Sequence, residues 1–386
     1  MIHRPPTTDF GRYELKKQMR ILVIGAGASI AEGLEAGNKF EDCLPAMNNF
    51  ARKMWSNYNP HPLLDHFLRS IGYEPPKGDA RPLFYELEEN GITNVEKFFE
   101  YAWLNKDKAW LLSEYEAVKE PGKAATLKSD KEDKGEESIT EIGKQPLPKD
   151  FIRGFRTRYA GDNKISIEPA GQLTYWENML YHGIGHPMGL LLMQNFFENG
   201  VGFKTLKVSQ AVANKLSSSD IALNLNYDTV FEIALGQNGI QFQYSPNLRD
   251  SHSIYVCKPH GSLNLVVMED GRGFAFGQPT WLGTPEPPGG FSFQGIIPPR
   301  FAKRYDQNPI SKMILDTLRH KKPRYITMWG IGLTESDVDL LSLYTAWARR
   351  GSVIEIINPD NNVAKRVMEL IPCKVHYYEN HLEWIK

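Results

Sequence analysis

A glycine-rich run, Gly25-Ala26-Gly27-Ala28-Ser29, directly follows the apolar residues 21–24. Between a strand and a helix, small residues let the backbone approach a phosphate, and the helix N-terminus offers unpaired N–H groups and a partial positive charge. The same residues are also typical of a tight corner with no ligand. Taken alone, this run leaves nucleotide binding and a simple turn about equally open.

Polar residues follow a second apolar segment, in Asn224-Leu225-Asn226-Tyr227-Asp228. The amide of Asn226 both donates and accepts hydrogen bonds, so it could fix a water molecule or a hydroxyl group. In the alternative interpretation, Asn226 and Asp228 cap a helix that begins near Thr229. For this segment alone, the cap is favoured.

A histidine lies in a third segment, Lys258-Pro259-His260-Gly261-Ser262. His260 could act as a general base, because an unperturbed imidazole has a pKa of about 6.5. A solvated or core histidine is nevertheless the more common outcome for a single His. Two further segments, Gly330-Ile331-Gly332-Leu333 and Asn358-Pro359-Asp360, also place glycines or short polar residues after apolar runs.

All five segments follow predicted β-strands, at residues 21–24, 221–225, 254–257, 325–328 and 353–357. The last two strands flank a predicted helix that carries Val338, Leu341, Tyr344 and Ala348 on one face. This helix opens with a capping-box pattern, Thr334-Glu335-Ser336-Asp337, whose Thr and Asp side chains can accept from the first turn. Such β-α-β units build parallel sheets.

The predicted fold class is therefore α/β, with a doubly wound parallel sheet. Open parallel sheets bind ligands at the carboxyl edge of their strands, where all five segments are expected to meet. Each segment alone is explained equally well, or better, without a ligand. Their joint position favours a binding site.

The sheet is predicted to form from two separated parts of the chain, residues 20–40 and 216–386, after an N-terminal arm at 1–19. Between them, residues 41–215 show helical spacing, as in Val95, Phe98, Phe99, Ala102 and Trp103. This range is predicted to be a helical insertion. Residues 119–150 are rich in charge and poor in large apolar side chains, which predicts a flexible loop.

Composition excludes several classes of protein. The 45 Lys and Arg residues nearly balance 46 Asp and Glu residues, so nothing indicates a nucleic-acid or membrane partner. The distant Cys43, Cys257 and Cys373 argue against disulfides and lack the paired spacing of a zinc ribbon. The first 20 residues lack the apolar core of a signal peptide, and no later segment holds about 20 uninterrupted apolar residues, so a cytoplasmic location is expected.

A metal site on His182 and His186 is a remote alternative. Their i,i+4 spacing suits two ligands on one helix, but two glycines discourage that helix and no carboxylate lies between the histidines. No bound metal is therefore expected.

In this order, GAGAS, NLNYD, KPHGS, GIGL and INPD resemble the sirtuin family, and specifically the bacterial sirtuin-like branch found in anti-phage defence systems. The resemblance implies a Rossmann-like NAD-binding domain at residues 20–40 and 216–386. It implies that Asn226 and Asp228 hold the nicotinamide-side ribose and a water, and that His260 is the catalytic base. The implied contacts to the rest of NAD are Asn358 at the adenosine ribose and, around the phosphates, Gly25, Ala26, Gly27 and Ser29, with Gly330, Gly332 and Leu333 nearby.

The chain also departs from sirtuin deacylases. It lacks their four-cysteine zinc ribbon, and Ile30-Ala31-Glu32-Gly33-Leu34-Glu35-Ala36-Gly37 replaces their Pro-Asp-Phe-Arg segment. The resemblance therefore implies an NAD hydrolase that releases nicotinamide and ADP-ribose and depletes NAD in infected cells. A protein deacylase or ADP-ribosyltransferase, and a non-catalytic NAD or ADP-ribose sensor, are the alternatives. The resemblance further implies homo-oligomers and a HerA-type ATPase partner.

Overall fold

A computed structural model of the protein describes residues 18–40, 43, 155–160, 164–169, 193, 196–198, 202–246, 251–267, 274–280, 293–296, 305, 309–333 and 337–386. Several predicted features lie outside these residues: most of the N-terminal arm, the helical pattern at 95–103, the charged loop at 119–150, His182, His186 and the capping positions 334–336.

The described strands are, in chain order, β1 (Arg20–Ile24), β2 (Phe155–Ala160), β3 (Lys164–Pro169), β4 (Phe197–Glu198), β5 (Gly202–Phe203), β6 (Ile221–Asn224), β7 (Phe242–Tyr244), β8 (Ile254–Cys257), β9 (Gly261–Val267), β10 (Phe274–Phe276), β11 (Phe293–Ile296), β12 (Tyr325–Trp329), β13 (Val353–Ile357) and β14 (Val375–Tyr378). The described helices are α1 (Ala26–Glu35), α2 (Lys207–Ala213), α3 (Val230–Gln237), α4 (Pro309–Arg319), α5 (Val338–Arg349), α6 (Asn362–Leu370) and α7 (His381–Ile385).

Within the described residues, seven strands form one parallel sheet in the order β14-β13-β12-β1-β6-β8-β7. The chain runs outward from β1 through β6 to β7 and β8, returns to β12, and then runs outward on the other side. This is a doubly wound, Rossmann-like sheet, and the predicted α/β fold class is confirmed.

Both faces of the sheet are covered, which explains why its central strands are continuous apolar runs. On one face, Ile21 and Val23 belong to a core that includes residues of α4, α5 and α6. On the other face, Leu22 and Ile24 pack in a core with residues of α1, α2 and α3. The alternation along β1 divides its side chains between the two cores.

The buried face of α5 differs from the predicted one. Val338 is 65% exposed, whereas Leu340, Leu343, Tyr344 and Trp347 are buried. A helix turns by about 100° per residue, so Val338 lies on the side opposite Trp347, nine residues later. The prediction was therefore right for Tyr344 and Ala348 but wrong for Val338.

The range predicted to be a helical insertion contains strands as well as a helix: besides the short β4–β5 pair, it includes β2, β3 and α2. β2 and β3 pair as an antiparallel hairpin. The helix α2 packs through Val208, Val212 and Ala213 into the core shared with α1 and α3. The α/β unit therefore includes α2, which begins before the predicted boundary at residue 216.

Cys43, Cys257 and Cys373 are not joined to one another by a disulfide. Cys43 and Cys257 are buried, whereas Cys373 is partly exposed. No helix in the described ranges is both long and apolar enough to cross a membrane.

Candidate active site

The five segments identified in the sequence meet at one edge of the sheet. They follow β13, β12, β1, β6 and β8, which are consecutive neighbours in the sheet and run parallel. Their carboxyl ends therefore face the same way. The strand order reverses between β1 and β12: the chain runs from β1 to β6 on one side and later continues from β12 to β13 on the other. Doubly wound sheets form their ligand crevice at such a point.

Two glycine turns pack against each other at this edge. The N–H of Gly27 donates to the carbonyl of Gly330 at 2.9 Å. A Cβ on Gly25 would lie 2.6 Å from that same oxygen, and one on Gly27 would lie 2.7 Å from the Cα of Gly330. Gly330 itself has φ +63°, and a Cβ there would lie 2.2 Å from the nitrogen of Ala28. These three glycines are thus required for packing between the turns after β1 and β12.

Ala26 and Gly332 occupy different positions on the same two turns. Both are exposed. A Cβ on Gly332 would meet no described atom within 4 Å. Ala26 is the first residue of α1, whose N-terminus carries the partial positive charge expected to attract phosphates. These two residues are therefore exposed positions on the turns that meet at the N-terminus of α1.

The side-chain amide of Asn226 is held in one orientation. Its Nδ2 donates to the carbonyl of Gly25 at 3.0 Å and to the hydroxyl of Ser29 at 3.2 Å. A carbonyl only accepts, so the nitrogen must face Gly25 and the amide oxygen must point elsewhere. The backbone N–H of Asn226 is fixed by the side-chain oxygen of Asn224 at 3.0 Å. The structure therefore presents Asn226 Oδ1 as an acceptor.

Asp228 is buried and uses both carboxylate oxygens within the chain. Oδ2 accepts from the Ser29 hydroxyl at 2.9 Å, and Oδ1 accepts from the N–H of Val230 at 3.1 Å. Burial raises the pKa of Asp228, and the nearby Lys258 ammonium partly opposes this rise. The alternative prediction, that these residues cap the following helix, therefore fits Asp228, which accepts from the N–H of the first residue of α3. It does not fit Asn226, whose side chain contacts Gly25 and Ser29 instead.

A buried ion pair lies beneath these residues. The Lys258 ammonium contacts the Glu232 carboxylate at 3.0 Å and donates to the Asp228 carbonyl at 2.6 Å. Asn224 Nδ2 lies 3.1 and 3.2 Å from the two oxygens of Glu232. All three side chains are fully buried. Because each charge has partners, this group can fix the 226–228 segment without leaving an unpaired buried ion.

His260 lies in the turn between β8 and β9 and is 6% exposed. Its Nδ1 lies 2.8 Å from the carbonyl of Leu225, the residue before Asn226. A carbonyl only accepts, so Nδ1 carries a proton and Nε2 is the nitrogen that can act as a base. The imidazole and the Asn226 amide are therefore linked through one short piece of backbone.

Two residues absent from the predicted site surround Nε2. Nε2 is hydrogen-bonded to the hydroxyl of Tyr305, and the oxygen of that hydroxyl lies 3.1 Å from Asp337 Oδ1, so its single proton can be donated to either acceptor. Asp337 Oδ1 lies 3.8 Å from Nε2. Burial and the Asp337 carboxylate raise the pKa of Tyr305 well above its usual value, so the phenol keeps its proton.

Asp337 was predicted to cap α5 with its side chain, and this prediction is wrong. It occupies the N-cap position but makes no side-chain cap hydrogen bond. Its carboxylate accepts from Tyr305 instead. The local sequence pattern could not show this partner, because Tyr305 lies 32 positions earlier in the chain.

The remaining predicted residues play different parts in the structure. Asn358 donates to the carbonyl of Ile331 at 3.2 Å and so ties the end of β13 to the GIGL turn. Leu333 is 5% exposed and packs in the core on the α4–α6 face. Asn358 remains partly exposed at the edge, while the Leu333 side chain belongs to the core.

A cavity of about 690 Å³ lies at the opposite edge of the sheet, before β1, β12 and β13 begin. It is lined by Met19, Arg324, Ser352 and their neighbours, and by no residue of the predicted site. Its position does not match the crevice expected at the carboxyl edge. Among the described residues, no three or more His, Cys, Asp or Glu side chains are grouped to hold a metal ion.

Comparison of the chain with models of known protein families gives no match, and comparison with curated proteins gives none either. The functional interpretation therefore depends on the five motifs and on the arrangement of the residues described above.

Proposed function

We propose that this protein is a sirtuin-like NAD hydrolase that cleaves the bond between nicotinamide and ribose and releases nicotinamide and ADP-ribose. One observation carries the proposal. The fixed amide of Asn226 and the imidazole of His260 follow neighbouring strands, and His260 binds the carbonyl of Leu225 at 2.8 Å. Both lie at the sheet edge that also presents the N-terminus of α1.

The chemistry of NAD suits this arrangement. Nicotinamide leaves as a neutral molecule from a cationic precursor, so the enzyme has mainly to stabilise the oxocarbenium-like ribose and position the attacking water. The Asn226 oxygen can accept from that water or from a ribose hydroxyl. His260 Nε2 can take the proton of the same group, and the N-terminus of α1 can face the pyrophosphate.

The proposed roles of other residues follow from their contacts. Asp228 and Ser29 hold each other at 2.9 Å and keep the Asn226 amide in place. Gly25, Gly27 and Gly330 bring two turns together, while Ala26 and Gly332 leave space for the phosphates. Asn358 is proposed to reach the adenosine ribose.

The proposed setting follows from the motif resemblance. Such an enzyme would act in the cytoplasm, deplete NAD in anti-phage defence, and work as a homo-oligomer with a HerA-type ATPase. Light scattering during gel filtration tests the assembly. A monomer at every concentration would remove the homo-oligomer from the proposal without affecting the proposed chemistry.

The decisive experiment is incubation of the purified chain, with and without a HerA-type ATPase, with NAD in water, followed by separation of nicotinamide, ADP-ribose and cyclic products. A hydrolase makes equal amounts of nicotinamide and ADP-ribose with no acceptor present. A deacylase or transferase needs an added acceptor, and a sensor binds NAD but releases no nicotinamide.

Substitutions assign the roles of the two central residues. We expect Asn226→Ala and His260→Gln to lower nicotinamide release at least about a hundredfold, the lower end of what a general base contributes. Gln at position 260 can still donate to the Leu225 carbonyl, so the turn keeps a partner. The exposed Asn362→Ala and His320→Ala are matched controls. Release at the wild-type rate by folded Asn226→Ala or His260→Gln protein would refute that residue's role.

A further inference from the structure

The surroundings of His260 extend the proposed site by two residues. Nδ1 is occupied by the Leu225 carbonyl, so any proton that His260 accepts must go to Nε2. That nitrogen is hydrogen-bonded to the Tyr305 hydroxyl. The base can therefore work only if Tyr305 gives up the lone pair of Nε2.

Tyr305 has a second acceptor for its proton. Asp337 Oδ1 lies 3.1 Å from the Tyr305 oxygen, so the hydroxyl can turn from Nε2 to the carboxylate without losing a hydrogen bond. After His260 is protonated, its Nε2–H can donate to the Tyr305 oxygen while Tyr305 donates to Asp337. The carboxylate is then 3.8 Å from the imidazolium nitrogen, close enough to stabilise its charge.

We propose that Tyr305 and Asp337 are positioning residues that make His260 a base: Tyr305 releases Nε2 by turning to Asp337, and Asp337 stabilises the imidazolium. This inference rests on the proposed function, because it assumes that His260 accepts a proton during the reaction. As its hydroxyl turns to Asp337, the Tyr305 oxygen moves off the line of the Nε2 lone pair, and the attacking water or a ribose hydroxyl takes that place. The O–H bond of that group breaks, its electron pair stays on its oxygen, and an N–H bond forms at Nε2. The Tyr305 proton stays on its oxygen throughout and changes only its acceptor.

Titratable groups near the His260–Tyr305–Asp337 hydrogen bonds determine how a pH test of the proposal is interpreted. Within the described residues, the titratable groups that face His260 include Tyr227, with ring centroids 6.3 Å apart, Tyr305 and Asp337. Tyr344 lies behind them, and burial and Asp337 raise its pKa. Tyr305 and Tyr344 therefore keep their protons around neutral pH, and the Asp337 carboxylate is the charge that the test removes.

The first test is the pH dependence of nicotinamide release by Asp337→Asn protein. Removing the carboxylate disfavours the imidazolium, so His260 loses its proton at lower pH. We expect the midpoint of the acidic limb of the kcat profile to move down by about 1 pH unit or more. Asp339→Asn removes a carboxylate from the same turn of α5 and is the matched control. An unchanged midpoint in Asp337→Asn would overturn the inference.

The second test concerns the Tyr305 hydroxyl. We expect Tyr305→Phe to lower kcat about tenfold, the size of one hydrogen bond, with KM for NAD within about twofold of wild type. Tyr305 and Asp337 are proposed to act through the same hydrogen bonds. The kcat of the double variant Tyr305→Phe/Asp337→Asn is therefore expected to be no lower than that of the slower single variant. Effects that multiply would show that the residues act independently.

A third measurement does not depend on catalysis. The titration of His260 is followed by NMR in protein with ¹⁵N-labelled histidine, and its signal is assigned among the ten histidines with His260→Gln. Asp337→Asn is expected to lower the pH at which this signal titrates. If wild-type protein releases no nicotinamide, the proposed function fails, while this titration still confirms or overturns the contact between Asp337 and His260.

Discussion

At the scale of single residues, the site combines side chains that are fixed by partners of known polarity. Asn226 is oriented because the Gly25 carbonyl can only accept, and His260 is oriented because the Leu225 carbonyl can only accept. Backbone carbonyls thus determine which atom each side chain presents. This leaves an acceptor at Asn226 and a basic nitrogen at His260, a pairing suited to positioning and deprotonating a hydroxyl group.

Asp228 should influence how stability varies with pH. Its pKa is raised by burial, so the folded protein binds a proton at Asp228 more tightly than the unfolded chain does. The stability that this proton contributes is fully present below the ordinary pKa of 3.8 and is lost as pH rises through the folded pKa. At neutral pH, the ionised carboxylate therefore costs stability.

We predict that Asp228→Asn gains stability relative to wild type as pH rises from about 4 to about 7.5. Asn can keep an oxygen for the Val230 N–H and turn its NH₂ group to the Ser29 oxygen. Urea unfolding at several pH values measures the difference in the free energy of unfolding between the variant and wild type. Contributions from groups that titrate alike in both proteins cancel in this difference. The variant Asp339→Asn, at a partly buried position, shows the effect of losing a carboxylate elsewhere. A relative stability that falls with rising pH would contradict the raised pKa.

At the scale of elements, the carboxyl edge is held together by turns that touch each other. The turn after β1 and the turn after β12 share the Gly27–Gly330 hydrogen bond. Asn358 then ties the end of β13 to the same turn. On the opposite flank, the Lys258–Glu232 pair joins the turn after β8 to α3. The edge therefore behaves as one connected layer.

Gly330 and Gly332 form a matched pair for testing this packing. Alanine at Gly330 would need positive φ and would clash with the Ala28 nitrogen, whereas alanine at Gly332 would meet no described atom within 4 Å. We predict that Gly330→Ala loses at least about 2 kcal/mol of stability and that Gly332→Ala stays within about 0.5 kcal/mol. Urea denaturation of both variants checks this. Equal losses would mean that the close approach of the two turns is not needed.

The sequence predicted the elements well where one physical signal dominated. Strands such as β1 and β13 are apolar apart from Arg20 and Glu355 because both faces are buried, and their ends were found within one or two residues. β14 was missed because it is only partly buried and carries His376 and two tyrosines, so it gives no apolar run. Short, half-exposed edge strands have little hydrophobic signal to read.

The sequence predicted where the candidate site lies, but it predicted only some of the residues that surround its chemical groups. Asn226 and His260 stood next to clear strand ends, so their position at one edge could be expected. Tyr305 and Asp337 could not be found in this way, because their contacts with His260 depend on tertiary packing across 45 and 77 positions of sequence. Likewise, close packing of Gly27 against Gly330 cannot be distinguished from phosphate binding in sequence alone.

At the scale of the whole molecule, the site exists only when distant parts of the chain assemble. Ser29 meets Asp228 across 199 positions, and Asn226 meets Gly25 across 201 positions. Each contact joins the segment that follows β1 to the segment that follows β6, the neighbouring strand of the central sheet. Among the described residues, the site is therefore not formed by one local segment of the chain. Its geometry should be lost when the central sheet unfolds.

We predict that nicotinamide release and the native fluorescence of tryptophan disappear at the same urea concentration. Trp329 in β12 and Trp347 in α5 are two of the eight tryptophans and are buried in opposite cores, so the native fluorescence includes a signal from each face of the sheet. If both faces and the site unfold together, the transitions coincide, as expected of a two-state unit. Activity lost well before the fluorescence changes would instead mean that the turns at the carboxyl edge open separately. In that case local contacts rather than the whole sheet would hold His260 and Asn226 in position.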